Sequence, residues 1–125
     1  MTDNQLCGFR ILLVEDNALL AMTTDEILRC AGAEIAGPVG TLREAEQLAA
    51  CEALSAALLD IKLHADEVWS VARILAERGV PFVFCSGHFD RDSLPDEWAD
   101  YPILTKPVRA HRIIDSLAGV INGPA

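Results

Sequence analysis

The chain has 125 residues, 51% of them hydrophobic, with a formal net charge of -9 and a pI near 4.6. That length suits one domain that buries a core without staples, and the acidic balance excludes nucleic-acid binding by counterion release, since no local basic patch offsets it. With no basic, apolar leader in MTDNQLCGF and no run near the ~18 apolar residues of a bilayer span, a cytoplasmic protein without a membrane partner is expected.

Phe9 to Val14 (FRILLV) is a short apolar run, the pattern of a strand covered on both faces in a parallel sheet. Asn17 is a good cap for a helix predicted to reach Ala31, before Gly32, and to bury Leu20 and Ile27. A second strand is read over Glu34 to Gly37. Thr41 and Glu44 make a capping box, in which each side chain satisfies the other's free backbone N–H, so the second helix runs from there to about Cys51. Ala56 to Leu59 is the third strand. Val68, Val71, Ala72 and Leu75 then repeat at helical spacing, ended by Gly79 with Pro81 just beyond.

Pro81 to Cys85 (PFVFC) is the fourth strand. The stretch from Gly87 to Tyr101 is polar, carries Pro95 and has no apolar stripe, which predicts a loop with at most a short helical turn where a fourth helix would stand. Ile103 to Thr105, between Pro102 and Pro107, is the fifth strand, and the last helix carries Ile113, Ile114, Leu117 and Ile121 ahead of Gly123. Cys7, Cys30, Cys51 and Cys85 form neither a CxxC pair nor a zinc spacing with histidine, and are read as reduced, partly buried thiols.

Strand and helix alternating five times predict an α/β fold: a flavodoxin-like, doubly wound, five-stranded parallel sheet with strand order 2-1-3-4-5. The sequence is expected to be one domain over residues 1–125, with its core at about 9–122 and no output domain after it. Ligands in such sheets bind at the carboxyl ends of the strands, beside the switch point between strands one and three. Glu15 and Asp16 stand at the end of strand one and Asp60 at the end of strand three. Three carboxylates brought together repel unless a cation neutralises them or one keeps a proton, and an all-oxygen set with room for water suits magnesium. Ser86 and Lys106 end strands four and five; a hydroxyl, an ammonium, a divalent cation and a carboxylate facing one pocket are the ingredients for receiving a phosphoryl group.

The motifs LLVEDN (Leu12 to Asn17), LLDIKL (Leu58 to Leu63), CSG (Cys85 to Gly87) and LTKPV (Leu104 to Val108) together resemble the receiver domain of two-component response regulators, CheY-like in fold, over almost the whole chain. The resemblance implies that Asp60 accepts a phosphoryl group from a histidine kinase or phosphotransfer protein. It implies that Asp16, Asp60, Glu15 (partly through water) and the backbone carbonyl of Lys62 hold Mg2+, that Lys106 contacts the phosphoryl oxygens, and that Ser86 swings to hydrogen-bond one of them. It also implies a cis bond before Pro107 and a downstream effector protein as partner. PFVFCSG is similar to a subgroup of single-domain receivers with a reduced fourth helix, with His88 where that subgroup usually has tyrosine. Receivers usually place an aromatic three residues before the lysine; here that position is Ile103, so the readout is expected to be absent or taken over by Tyr101, on the same face if the fifth strand extends so far.

Plainer readings stand beside these. Glu15 and Asp16 alone would pass as solvated acids at a helix N-terminus, Ser86 as a turn residue beside Gly87, and Lys106 as a surface charge. His64, His88 and His111 are given no catalytic role, although Lys62 and His88 flank the pocket in the resemblance and could tune loss of the phosphoryl group. The rival functions are a degenerate receiver that only scaffolds, a magnesium-dependent phosphatase with an aspartate nucleophile, and a flavin binder. The phosphatase lacks its general acid, because Lys62 stands two residues after Asp60, and the flavin binder lacks a phosphate-cradling loop, where Glu15 and Asp16 would repel phosphate.

Overall fold

A computed structural model describes residues 4–87 and 94–123 of the chain. In chain order the elements are β1 (Arg10–Val14), α1 (Ala18–Cys30), β2 (Glu34–Val39), α2 (Leu42–Cys51), β3 (Ala56–Asp60), β4 (Lys62–Leu63), β5 (Asp66–Glu67), α3 (Trp69–Glu77), β6 (Phe82–Ser86), β7 (Ile103–Thr105) and α4 (Ala110–Ile121), with a 3-10 turn at Asp96–Trp98. The main sheet is parallel throughout and ordered β2-β1-β3-β6-β7, which is the expected 2-1-3-4-5 once the small β4–β5 hairpin is set aside.

The pleat sorts each strand between two cores. Leu12 and Val14 of β1, Ala57 and Leu59 of β3, and Phe82 and Phe84 of β6 face α2 and α3, where Ala45, Ala49, Val71, Ala72 and Leu75 are buried. Ile11, Leu13, Leu58, Val83 and Cys85 point the other way, against Leu28 of α1 and Ile113, Ile114 and Leu117 of α4. Covering on both faces explains why these strands read as continuous apolar runs rather than alternating ones.

The α3 periodicity predicted a buried stripe, and Val68, Val71, Ala72 and Leu75 are all fully buried. That helix closes on Gly79, at φ 72, while the N–H of Val80 returns to the Leu75 carbonyl at 2.9 Å. At the start of α2 half of the expected capping box forms: the Thr41 hydroxyl oxygen accepts the Glu44 N–H at 3.2 Å, but the Glu44 carboxylate meets the Thr41 hydroxyl at 2.8 Å instead of its backbone N–H.

Other expectations need correction. Leu20, expected inside, is exposed along with Leu19 and Met22, because α1 turns Ala21 and Leu28 toward the sheet, seven residues and two turns apart. Strand β2 continues past Gly37 through a cis Gly37–Pro38 bond to Val39; a proline is tolerated because β2 lies at the edge of the sheet. The cysteines are free, with Cys85 buried but Cys7, Cys30 and Cys51 exposed rather than partly buried. Among the described residues no helix is long and apolar enough to cross a membrane.

Of the segment from Gly87 to Tyr101, residues 88–93, His88 among them, lie outside the described residues; the rest carries only the 3-10 turn after Pro95. Here aromatic packing covers β6. Tyr101 stacks on Phe82 with ring centroids 4.7 Å apart, and Trp98 and Trp69 meet Phe84 edge-on at 6.2 and 5.5 Å. Phe84, wholly buried among these rings, is the centre of that cover. Its truncation in Phe84→Ala is expected to lower unfolding free energy by about 3–5 kcal/mol, read as a lower urea midpoint.

Candidate functional site

Register brings the chemistry to one end of the sheet. Val14 pairs with Leu59 and Asp60 with Cys85, so the residue after β1, Glu15, stands level with the last residue of β3, Asp60. Ser86 ends β6 opposite Thr105 of β7, and Lys106 follows, its backbone N–H donating to the Ser86 carbonyl at 2.8 Å. The Lys106–Pro107 bond is cis, as the resemblance implied.

Glu15 is fixed from several sides. Its N–H donates to the Val39 carbonyl at 2.9 Å, its Oε2 accepts the Asn17 N–H at 3.1 Å, and its Oε1 accepts the Lys106 ammonium at 2.6 Å. The same ammonium reaches Oδ2 of Asp60 at 3.2 Å. Asp16, more exposed, has Oδ2 on the backbone N–H of His64 at 2.8 Å. Oxygen atoms of Glu15, Asp16 and Asp60 lie within 4.8 Å of one another. Of the five residues expected at the strand ends, Glu15, Asp16, Asp60 and Lys106 thus come together at one end of the sheet.

The charges bear the marks of crowding. Burial, and then the hydrogen bond and charge of Glu15, push the Asp60 carboxyl up to about 7, with Lys106 only partly opposing them. Burial also opposes ionisation of Asp16, but the His64 N–H, the charge of His64 and hydrogen bonds with Asp60 and Glu15 together outweigh it and hold this carboxyl below its usual range. For Lys106 burial again works against the charge, and contact with Glu15 and Asp60 reverses the balance and raises its pKa. Cys85, packed behind the site, is pushed by burial up to about 11, so it stands there as a neutral thiol. An oxygen-only donor set whose acids resist shared ionisation fits a hard divalent cation.

Ser86 is buried at the end of β6 beside this cluster. Lys62 heads β4, two residues beyond Asp60, with its side chain exposed. Strand β7 begins at Ile103 and does not extend to Tyr101 as the shared-face reading required, yet both residues pack against the same core, Tyr101 through its stack on Phe82. Sequence reasoning missed His64 and the Asn17 N–H as supports of the acids, since both act through the backbone, where side-chain type leaves little signal.

An open parallel α/β sheet with three acids and a lysine at the carboxyl ends of its strands defines the class, and known proteins similar to this chain narrow it. No family model matches. The chain is 33% identical to SdrG from Sphingomonas melonis Fr1, with a TM-score of 0.78, covering 94% of this chain and 98% of that one. It is 27% identical to a response regulator receiver protein from Sinorhizobium medicae WSM419, again at a TM-score of 0.78, over 92% and 95% of the two chains. Among curated proteins it is 33% identical over 84 residues to the transcriptional regulatory protein PdtaR of Mycobacterium tuberculosis, a match covering 66% of this chain and 41% of PdtaR. The chain belongs to the receiver domains of response regulators.

Proposed function

We propose that this receiver is a working phosphoacceptor whose Asp60 takes a phosphoryl group from a phosphohistidine on a histidine kinase or phosphotransfer protein. The observation that carries the reading is the Lys106 ammonium, 2.6 Å from Glu15 and 3.2 Å from Asp60, in a cluster completed by Asp16. In the transfer, an Asp60 carboxylate oxygen forms a bond to phosphorus as the phosphorus–nitrogen bond breaks and the electron pair returns to the imidazole. Lys106 turns from the carboxylate to the phosphoryl oxygens, and Ser86 donates to one of them. Glu15, Asp16, Asp60 and the Lys62 carbonyl would hold Mg2+, which when bound supplies positive charge against the anions gathered there.

On this reading the domain is a stoichiometric switch, not an enzyme with turnover. It acts in the cytoplasm by changing contacts with a downstream effector protein or by draining phosphoryl groups from a kinase, and needs neither nucleic acid nor membrane. Incubation with Mg2+ and acetyl phosphate is expected to add one phosphoryl group per chain. Absence of label would favour the degenerate scaffold, and sustained hydrolysis of a phosphomonoester the phosphatase.

Magnesium affinity should follow the protonation of Asp60. With the metal-free carboxyl at about 7, a proton competes with the cation below that pH. Binding measured by calorimetry is expected to tighten as pH rises to about 7 and then level off. The stability sign is the reverse for the metal-free protein: a raised acid pKa gives stability present below 3.8 and lost as pH rises through about 7. Added Mg2+ should therefore raise the melting temperature more at about pH 8 than at about pH 5. A magnesium shift independent of pH would contradict the shared site.

A further inference from the structure

Asp16 is held differently from its two neighbours. Glu15 and Asp60 are tied by the Lys106 ammonium, whereas Oδ2 of Asp16 accepts the backbone N–H of His64 at 2.8 Å. His64 lies at the turn between β4 and β5, and at φ 57 it is the only positive-φ residue other than glycine among the described residues. Histidine enters that left-handed region more readily than most side chains, and β-branched residues enter it poorly. The hairpin is anchored below the turn: Leu63 is buried, as is Val68, whose N–H donates to the Ile61 carbonyl at 2.9 Å.

A donor fixed in this way sets the plane of the carboxylate. With Oδ2 held by this N–H, the Asp16 carboxylate is kept in one orientation beside Glu15 and Asp60, an oxygen of each lying within 4.8 Å of the others. Carboxylate ligands are commonly steadied by such outer hydrogen bonds, and losing one typically weakens metal binding by about 10–100-fold. The His64 imidazole is a poorer candidate for this work, because it is 71% exposed and its Nδ1 stands 3.7 Å from Oδ2, beyond hydrogen-bonding reach.

We propose that His64 is a positioning residue, whose backbone N–H, presented by the left-handed turn of the β4–β5 hairpin, orients Asp16 for a divalent cation shared with Glu15 and Asp60. The inference rests on the reading of these acids as a metal site. The side chain at position 64 then acts on the cation site chiefly through the backbone conformation it allows.

Two substitutions separate conformation from side chain. His64→Gly removes the imidazole but keeps the N–H and the left-handed turn, whereas His64→Val keeps the N–H but resists that turn. Calorimetric titration with MgCl2 is expected to give His64→Gly an affinity within about threefold of the native protein and His64→Val one on the order of tenfold weaker. In metal-free protein, hydrogen exchange at the residue 64 amide should be slow in the native and glycine forms and fast in His64→Val and Asp16→Ala. Equal affinities for the two variants, or a loss in His64→Gly matching that in His64→Val, would overturn the proposal while leaving the metal site standing. A native protein that takes up no Mg2+ would overturn the metal site and the positioning role together, even if the amide is protected.

Discussion

Asp60→Ala is expected to reduce phosphoryl uptake from acetyl phosphate to background, a loss on the order of 100-fold or more. The reason is positional: Asp60 is the last residue of β3, it is 6% exposed, and the Lys106 ammonium already sits 3.2 Å from its Oδ2. Glu15 is as well buried but has both oxygens engaged, by Asn17 and Lys106, and Asp16 is turned to His64. On the proposed reading both serve as metal ligands rather than as the nucleophile. The same substitution has an opposite sign for stability. Without metal, a carboxyl pushed up to about 7 is a burden to the folded state at neutral pH and above. Asp60→Ala should therefore melt no lower than the native metal-free protein at about pH 8, while losing the added stability that Mg2+ confers. Label retained on another residue would show that the wrong acid has been assigned.

This division between function and stability bears on what could be read in the sequence. Asp60 was legible because a carboxylate directly after Ala-Ala-Leu-Leu has little reason to stand at the end of a buried strand. Lys106 was legible from its place between a short strand and Pro107. Parallel register then leaves small freedom: once Val14 pairs with Leu59 and Cys85 with Leu104, the acids and the lysine meet. The α1 face was harder, because Leu19, Leu20 and Met22 offer as good an apolar stripe as the one used, and the sheet accepts the smaller Ala21 instead. Hydrophobicity alone does not register how closely a helix approaches.

Features carried by the backbone left still less trace. Strands β4 and β5 have two residues each, too few for any period to be seen, yet the turn between them carries the N–H that holds Asp16. The aromatic cover of β6 was visible only as scattered residues; Trp98 and Tyr101 come together because the chain makes a 3-10 turn after Pro95 and returns to the sheet at Ile103. With Tyr101 stacked on Phe82, any rearrangement of its ring must break that contact first.

Lys106→Met should separate two properties that the wild-type side chain combines. The ammonium is the protein's own cation, bound to Glu15 at 2.6 Å and to Asp60 at 3.2 Å. Removing it leaves buried acids without their partner, a loss of about 3 kcal/mol in metal-free stability at neutral pH. That loss should shrink in acid, as Asp60 takes up a proton. Phosphoryl uptake is expected to fall by about 10²–10³, the scale for losing one fixed charge that meets the transferring group. Magnesium affinity should move the other way: at about pH 8, where proton competition is weakest, a cluster stripped of its internal charge attracts a dication more strongly, by several-fold or more. Lys106→Arg, which keeps charge but not the compact ammonium, should retain magnesium affinity near the native value and recover only part of the uptake. A Lys106→Met protein with weakened magnesium binding would mean that Lys106 organises the acids rather than competing with the cation for them.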